Sequence, residues 1–204
     1  MTLADKLTAF RLVLAPVFFL VYRFPVSGGA PLWSFQGGGW TIPVLWALFV
    51  ISELTDLADG KAARARNEVS DFGKLFDPFA DVLVRITYFL CFVMDGILPV
   101  MPLLLILYRE FGILFLRILM MKRGIAMGAR MGGKIKAVSY MIAGIAALFV
   151  FSAERLRPAA SLLPGLRLAA LALFVIATAI ALISFADYLG VYKKQAGGVP
   201  PMLS

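Results

Sequence analysis

The sequence predicts an all-α membrane protein that forms a single domain over residues 1–204 and crosses the bilayer six times. Of its 204 residues, 61% are hydrophobic and only 16% are charged, and the mean hydropathy is +0.90. Soluble domains contain about 45–50% apolar and about 25% charged residues. Lipid is therefore the expected solvent for most of the chain, and a helix satisfies its own backbone hydrogen bonds there.

Six apolar runs approach the roughly 20 residues that a helix needs to cross the hydrocarbon layer. The predicted spans are 9–24, 41–60, 78–97, 100–121, 135–153 and 167–190. Residues 1–8 are expected to form a short amphipathic segment at the membrane surface, and residues 195–204 a flexible tail. The alternating pattern of a membrane β-barrel is lacking, which leaves helices as the predicted elements.

Positive charge predicts the orientation of these spans. Of the 20 Lys and Arg residues, thirteen would lie on the side of the N-terminus, four on the opposite side and three within spans. Loops rich in Lys and Arg stay in the cytoplasm. Both termini are therefore expected in the cytoplasm, and a bacterial inner or plasma membrane is the expected location.

Composition also excludes several kinds of chemistry. The chain has no histidine, so mechanisms that depend on this residue and most zinc sites are excluded. Its single cysteine, Cys91, cannot form a disulfide within the chain. The formal net charge is +8, but no soluble basic segment exists to bind nucleic acid. We expect this charge to meet anionic lipid headgroups instead.

Four aspartates lie where the second and third predicted spans approach each other. Asp56 and Asp59 are three residues apart, and Asp77 and Asp81 are four apart, so each pair shares one helix face. The short connection makes the two helices antiparallel, and the pairs can face each other at one depth. Because clustered carboxylates repel one another and oxygen ligands suit hard cations, the pattern predicts bound Mg²⁺, Mn²⁺ or Ca²⁺.

Small residues and one arginine accompany these aspartates. Gly60 follows Asp59, Ala63 lies one turn further on, and Gly73 precedes Asp77 by four residues. Such residues allow a ligand to approach the backbone, although close packing of a neighbouring helix is the other interpretation. Arg64 is placed to contact a phosphate, or to anchor the helix at the cytoplasmic surface.

The complete pattern is D-x2-D-G-x2-A-R-x8-G-x3-D-x3-D, which Asp56 to Asp81 fit without a departure. It resembles the signature of the CDP-alcohol phosphatidyltransferases. The resemblance implies six transmembrane helices, often a homodimer, and a site facing the cytoplasm where a CDP-linked donor meets an alcohol. It implies that Asp56, Asp59, Asp77 and Asp81 bind metal, that Asp81 is also the general base, and that Gly60, Ala63, Arg64 and Gly73 shape the cytidine diphosphate site together with Asp56 and Asp59.

The chemistry agrees with this implication. Displacement at a pyrophosphate phosphorus requires its negative charge to be neutralised, which two Mg²⁺ or Mn²⁺ ions can do. The attacking hydroxyl must lose a proton, and a carboxylate is the available base because histidine is absent. Asp81, the outermost of the four aspartates, suits that role.

The identity of the alcohol depends on basic residues further along the chain. The segments around Leu7 to Pro16, Asp77 to Asp81 and Arg109 to Lys136 resemble the branch of the family that joins CDP-diacylglycerol to glycerol 3-phosphate. Glycerol 3-phosphate is dianionic, and basic groups inside a span are costly unless they face a polar cavity. The candidates for binding the acceptor phosphate are Arg109, Arg117, Lys134 and Lys136. Pairing of Arg109 with Glu110 as a purely structural contact is the alternative.

Three positions depart from that branch. Val82 stands where relatives usually carry Lys, Ala137 where they carry Thr, and Tyr140 where they carry Gln. Cardiolipin-type, inositol-phosphate and amino-alcohol acceptors therefore stay open. An ion-coupled transporter is a further alternative, but pathway acids tend to recur on several helices near the midplane, whereas these acids cluster at one interface.

Overall fold

A computed structural model of the chain describes residues 3–23, 40–66, 73–122, 124, 131–156 and 160–196. These residues form six α-helices and one turn of 3₁₀ helix before the last of them. The helices are α1 (Leu3–Arg23), α2 (Thr41–Arg66), α3 (Gly73–Met94), α4 (Val100–Lys122), α5 (Met131–Leu156) and α6 (Leu163–Ala196). The prediction of an all-α fold is confirmed, and each predicted span falls within or largely overlaps one helix.

Two helices in the described part of the chain are long and apolar enough to cross a membrane, Met131–Leu156 and the segment Leu163–Lys194 of α6. α4 carries three charged residues before its last turn, Arg109, Glu110 and Arg117, which lower its apolar character. Arg109 and Glu110 are nevertheless buried. Charges of this kind are costly next to lipid, so their burial indicates an internal polar site.

The first helix has a central position in the fold. α1 packs against both α2 and α3, α5 packs against α6, and α4 contacts α3 and α6. The amphipathic segment expected at residues 1–8 forms, from Leu3 onward, the first turns of the helix that contains the first predicted span. α1 therefore brings its own side chains to the place where α2 and α3 approach each other.

An aromatic core holds the middle of the bundle. Phe18 and Tyr88 have ring centroids 4.5 Å apart, and Tyr22 stacks on Phe151 at 4.3 Å. Such pairs each contribute about 0.5–1.5 kcal/mol beyond the burial of their area. The core thereby connects α1, α3 and α5 and fixes the helix ends on which polar side chains lie.

At one end of the bundle, Asp95 ties three basic or phenolic groups together. Tyr22 donates a hydrogen bond to its carboxylate at 2.9 Å, Arg23 pairs with it at 3.2 Å, and Arg155 lies 3.9 Å away. Gly96 follows with a positive φ of 68°, and the amide of Ile97 donates to the carbonyl of Phe92. This is a glycine C-cap of the Schellman type, which ends α3 and reverses the chain.

Candidate active site

Three of the four predicted metal ligands come together at the other end of the bundle. Asp56 lies on α2, while Asp77 and Asp81 lie one turn apart on α3. One carboxylate oxygen from each lies within 4.8 Å of the others. The side chain of Asp59 lies outside the described residues, although its backbone continues α2. The proximity of Asp56 to Asp77 and Asp81 agrees with the prediction made from their spacing along two helices.

The guanidinium group of Arg11 lies among these carboxylates. Its Nη1 donates to Asp56 Oδ1 and to Asp81 Oδ1, each at 2.6 Å, and its Nη2 donates to Asp77 Oδ1 at 2.5 Å. Arg11 is only 2% exposed. Arg11 lies in the segment Leu7 to Pro16, which resembles the glycerol 3-phosphate branch of the family, but nothing in the sequence predicted its contact with the aspartates.

Two further side chains contact the aspartates. Thr8, one turn before Arg11, donates its hydroxyl to Asp77 Oδ1 at 3.2 Å. Arg85, one turn after Asp81, donates to Asp56 Oδ2 at 3.4 Å. Helical spacing could have indicated Arg85, since it follows Asp81 by four residues. Thr8 lies three residues before Arg11, which the sequence had not assigned to the site.

The donor set fits a hard divalent cation. Three carboxylates converge without sulfur or imidazole, and oxygen-only sets favour Mg²⁺, Mn²⁺ or Ca²⁺ over zinc. The side chains of Asp56 and Asp81 are 27% and 26% exposed and that of Asp77 is 45% exposed. The three side chains are therefore partly accessible, although one oxygen of each contacts Arg11.

These aspartates open into a cavity of about 310 Å³. All four basic residues that the sequence analysis selected for the acceptor phosphate line the same cavity, namely Arg109, Arg117, Lys134 and Lys136. Arg85 lines it as well. Carboxylates for a cation and basic groups for an anion thus face one shared space.

Part of the basic set is held by a buried carboxylate. Glu110 accepts from Arg109 Nη1 at 2.9 Å and from Lys136 Nζ at 2.8 Å. Arg109 also donates to the carbonyl of Ala181 and to the hydroxyl of Ser184. The pairing of Arg109 with Glu110 considered above is therefore present, and it occurs at the wall of the cavity rather than away from it.

The three departures from the glycerol 3-phosphate branch also lie at this wall. Val82, Ala137 and Tyr140 line the cavity. Lys136 Nζ lies 5.1 Å from the ring centroid of Tyr140, within the range of a cation–π contact. These positions contribute apolar and aromatic surface beside the basic groups.

The predicted nucleotide-binding residues lie at the edge of what the structure describes. Gly60, Ala63 and Arg64 belong to the last turns of α2, and their side-chain environment lies outside the described part. Gly73 is the first residue of α3. Their contribution to a nucleotide site stays a prediction.

Comparison with known proteins identifies the family. A family model described as CDP-alcohol phosphatidyltransferase matches residues 1–184. A CDP-diacylglycerol–glycerol-3-phosphate 3-phosphatidyltransferase of Treponema pallidum is 38% identical over 198 residues, covering 93% of this chain and 88% of the relative. The protein of the same name from Bacillus subtilis is 34% identical over 145 residues, covering 69% and 73%. A "probable phosphatidylglycerophosphate synthase" of Mycobacterium tuberculosis is 32% identical over 200 residues, covering 97% and 84%. The resemblance drawn from the aspartate pattern is thereby confirmed, and the chain belongs to the CDP-alcohol phosphatidyltransferase family of enzymes.

Proposed function

We propose that this protein transfers the phosphatidyl group of CDP-diacylglycerol to glycerol 3-phosphate, giving phosphatidylglycerophosphate and CMP, with Mg²⁺ or Mn²⁺ as cofactor. The observation that carries the proposal is the shared cavity, in which cation-binding carboxylates and four basic residues meet. The names of the Treponema and Bacillus relatives, which specify this donor and acceptor, support it.

The donor belongs on the aspartate side. Asp56, Asp77 and Asp81, with Asp59 as the fourth ligand, are the proposed ligands of two divalent ions. When bound, such ions neutralise phosphate oxygens and stabilise the departing CMP. Gly60, Ala63, Arg64 and Gly73 would surround the cytidine diphosphate part of the donor.

The acceptor belongs on the basic side. Lys136 and Arg109 are held in place by Glu110, while Arg117 and Lys134 line the same wall of the cavity. A fork-shaped guanidinium can bind two oxygens of one phosphate, and an ammonium adds a compact charge. Together they suit a dianionic phosphate better than an uncharged alcohol.

The reaction requires one proton to leave the acceptor. The hydroxyl oxygen of glycerol 3-phosphate attacks the phosphorus that carries the diacylglycerol, and the bond from this phosphorus to the CMP oxygen breaks. We assign acceptance of the hydroxyl proton to Asp81, because it lines the cavity with the proposed acceptor-binding residues. Positioned general bases contribute about 10²–10⁴-fold to a rate.

The setting of this reaction is a bilayer. We propose that all six helices span it, that both termini and the cavity face the cytoplasm, and that residues 1–204 act as one domain. Exposed apolar side chains on α6, including Leu168, Ile176 and Ile183, support contact with lipid. Residence in a bacterial inner membrane and assembly as a homodimer belong to the same proposal.

An acceptor panel tests the proposed function. Purified full-length protein is supplied with CDP-diacylglycerol and Mn²⁺, and CMP release is measured with glycerol 3-phosphate, inositol phosphate, serine, choline or phosphatidylglycerol. We expect release to be fastest with glycerol 3-phosphate and to stop with EDTA. Faster turnover with phosphatidylglycerol or an uncharged alcohol would overturn the acceptor assignment.

The same assay tests the proposed base. We expect Asp81→Asn to lower kcat by about 10²-fold or more. Asp187→Asn, at an exposed position of α6, is the matched control and should retain the wild-type rate. Full activity of Asp81→Asn would exclude Asp81 as the base.

A further inference from the structure

Arg11 belongs to a buried polar stripe on α1. Asp5, Thr8 and Arg11 follow one another at three-residue spacing and are 5%, 2% and 2% exposed. Residues three apart lie on one face of a helix. This face turns toward the aspartate cluster, since Thr8 and Arg11 both contact Asp77. α1 therefore brings a positive charge to the cluster from a helix other than α2 and α3, which carry the aspartates.

Arg11 contacts one oxygen of each of the three carboxylates that could hold a metal. Each of the three carboxylates gives one oxygen to the guanidinium, at 2.6, 2.5 and 2.6 Å. A divalent ion has its own ligand oxygens at roughly 2.0–2.6 Å. A cation bound to these same three oxygens would occupy the space of the guanidinium, and two cations that close together repel.

We infer that Arg11 is a built-in counterion that holds the aspartates together without metal and is displaced from them when a divalent ion binds. This inference rests on the metal site of the proposed function. Its physical basis is that buried carboxylates repel one another unless a positive charge lies between them. A guanidinium, which stays charged and forks between several oxygens, is suited to fill that place.

The inference separates Arg11 from an ordinary structural ion pair. If Arg11 only tied α1 to α2 and α3, removing it would weaken the fold equally with and without metal. If it competes with metal, removing it destabilises the metal-free protein but strengthens metal binding. The structural role therefore predicts an unchanged metal affinity in the variant, whereas the competing role predicts a higher one.

Mn²⁺ binding to the full-length protein in detergent, measured by the electron paramagnetic resonance signal of free Mn²⁺ without any substrate, distinguishes them. We expect Arg11→Gln to bind Mn²⁺ roughly tenfold or more tightly than the wild type, since a neighbouring positive charge has been removed. Its melting temperature should fall in EDTA and rise more than that of the wild type when Mn²⁺ is added. Arg23→Gln is the matched control, because Arg23 lies on the same helix but pairs with Asp95. It should leave Mn²⁺ affinity unchanged.

Equal or weaker Mn²⁺ binding by Arg11→Gln would overturn the inference, provided that Asp77→Asn weakens Mn²⁺ binding to the otherwise unaltered protein. If the protein does not bind Mn²⁺, or if Asp77→Asn leaves Mn²⁺ affinity unchanged, the proposed metal site is overturned and this inference with it. Should Arg11→Gln not fold, phenylglyoxal labelling of the wild type gives the answer. Mn²⁺ should then increase the labelling of Arg11 and leave that of Arg23 unchanged, and unchanged or reduced labelling of Arg11 would contradict displacement.

Discussion

Two glutamates with similar partners differ in how deeply they are buried. Glu110 is 6% exposed and accepts hydrogen bonds from both Arg109 and Lys136. The side chain of Glu154 is 24% exposed, and that of its partner Arg167 is 46% exposed. Removing one partner of a buried ion pair leaves an uncompensated charge, whereas water replaces the partner of an exposed one. The same substitution should therefore have unequal effects at the two positions.

Glu110→Gln should lower the free energy of unfolding by about 3 kcal/mol, because it leaves two buried cations without a counter-charge. Glu154→Gln is the matched control, and it should cost less than about 1 kcal/mol. Thermal unfolding of both variants in the same detergent measures the difference. Equal shifts for the two variants would mean that Glu110 does not carry the charge balance of this wall.

Single residues also mark the limit of what the sequence could predict about the site. The meeting of Asp56 with Asp77 and Asp81 followed from helical spacing and a short connection, both of which are local. The place of Arg11 depends on α1 packing against α2 and α3, a contact between residues far apart in the chain. Spacing alone contains no information about that contact, so Arg11 was placed in a segment that resembles the family but was not predicted to contact the aspartates.

Helices were predictable as elements, while their contacts were not. Each apolar run forms a helix because backbone N–H and C=O groups in apolar surroundings must form hydrogen bonds with each other. The actual helices are mostly longer than the predicted spans, as in α2, which continues through its charged end to Arg66. Hydropathy measures only the apolar part of a helix, whereas the helical hydrogen bonds continue into its polar turns.

One close approach between elements can be tested directly. A Cβ atom at Gly144 of α5 would lie 3.0 Å from two ring atoms of Phe49 on α2. Phe49 cannot move freely, since it is buried and its ring centroid lies 5.2 Å from that of Tyr88. Gly144 is thus a position where α2 and α5 require the absence of a side chain.

Gly144→Leu should reduce stability by about 1–3 kcal/mol, the usual cost of overpacking a filled core. Gly190 of α6 is the matched control, because a Cβ there meets nothing within 4 Å. Gly190→Leu should be neutral or stabilise the helix, by up to about 1 kcal/mol. Thermal melts of the two variants decide the matter, and a fully stable Gly144→Leu protein would contradict the described packing of α2 on α5.

On the scale of the whole molecule, the two polar clusters lie at opposite ends of the bundle. α1 connects them, with Arg11 among the aspartates and Arg23 beside Asp95. The positive-inside rule predicts that the aspartate end faces the cytoplasm, where soluble glycerol 3-phosphate and divalent ions are available. The proposed orientation and the proposed chemistry therefore depend on each other.

Cysteine labelling can test this orientation, because Cys91 is fully buried and should give little background. Ser161, in the 3₁₀ turn just before α6, and Lys194, in the last turn of α6, are both exposed. At 1.5 Å per residue, the two ends of this 34-residue helix are about 50 Å apart. That distance exceeds the thickness of the bilayer, about 40–45 Å with its headgroups. In intact bacterial cells, a membrane-impermeant maleimide should label Ser161→Cys, and it should label Lys194→Cys only after permeabilisation. The opposite labelling pattern would reverse the topology and put the aspartate cavity on the outer face, away from cytoplasmic substrate. Labelling of both cysteine variants from one side would mean that α6 does not span the membrane.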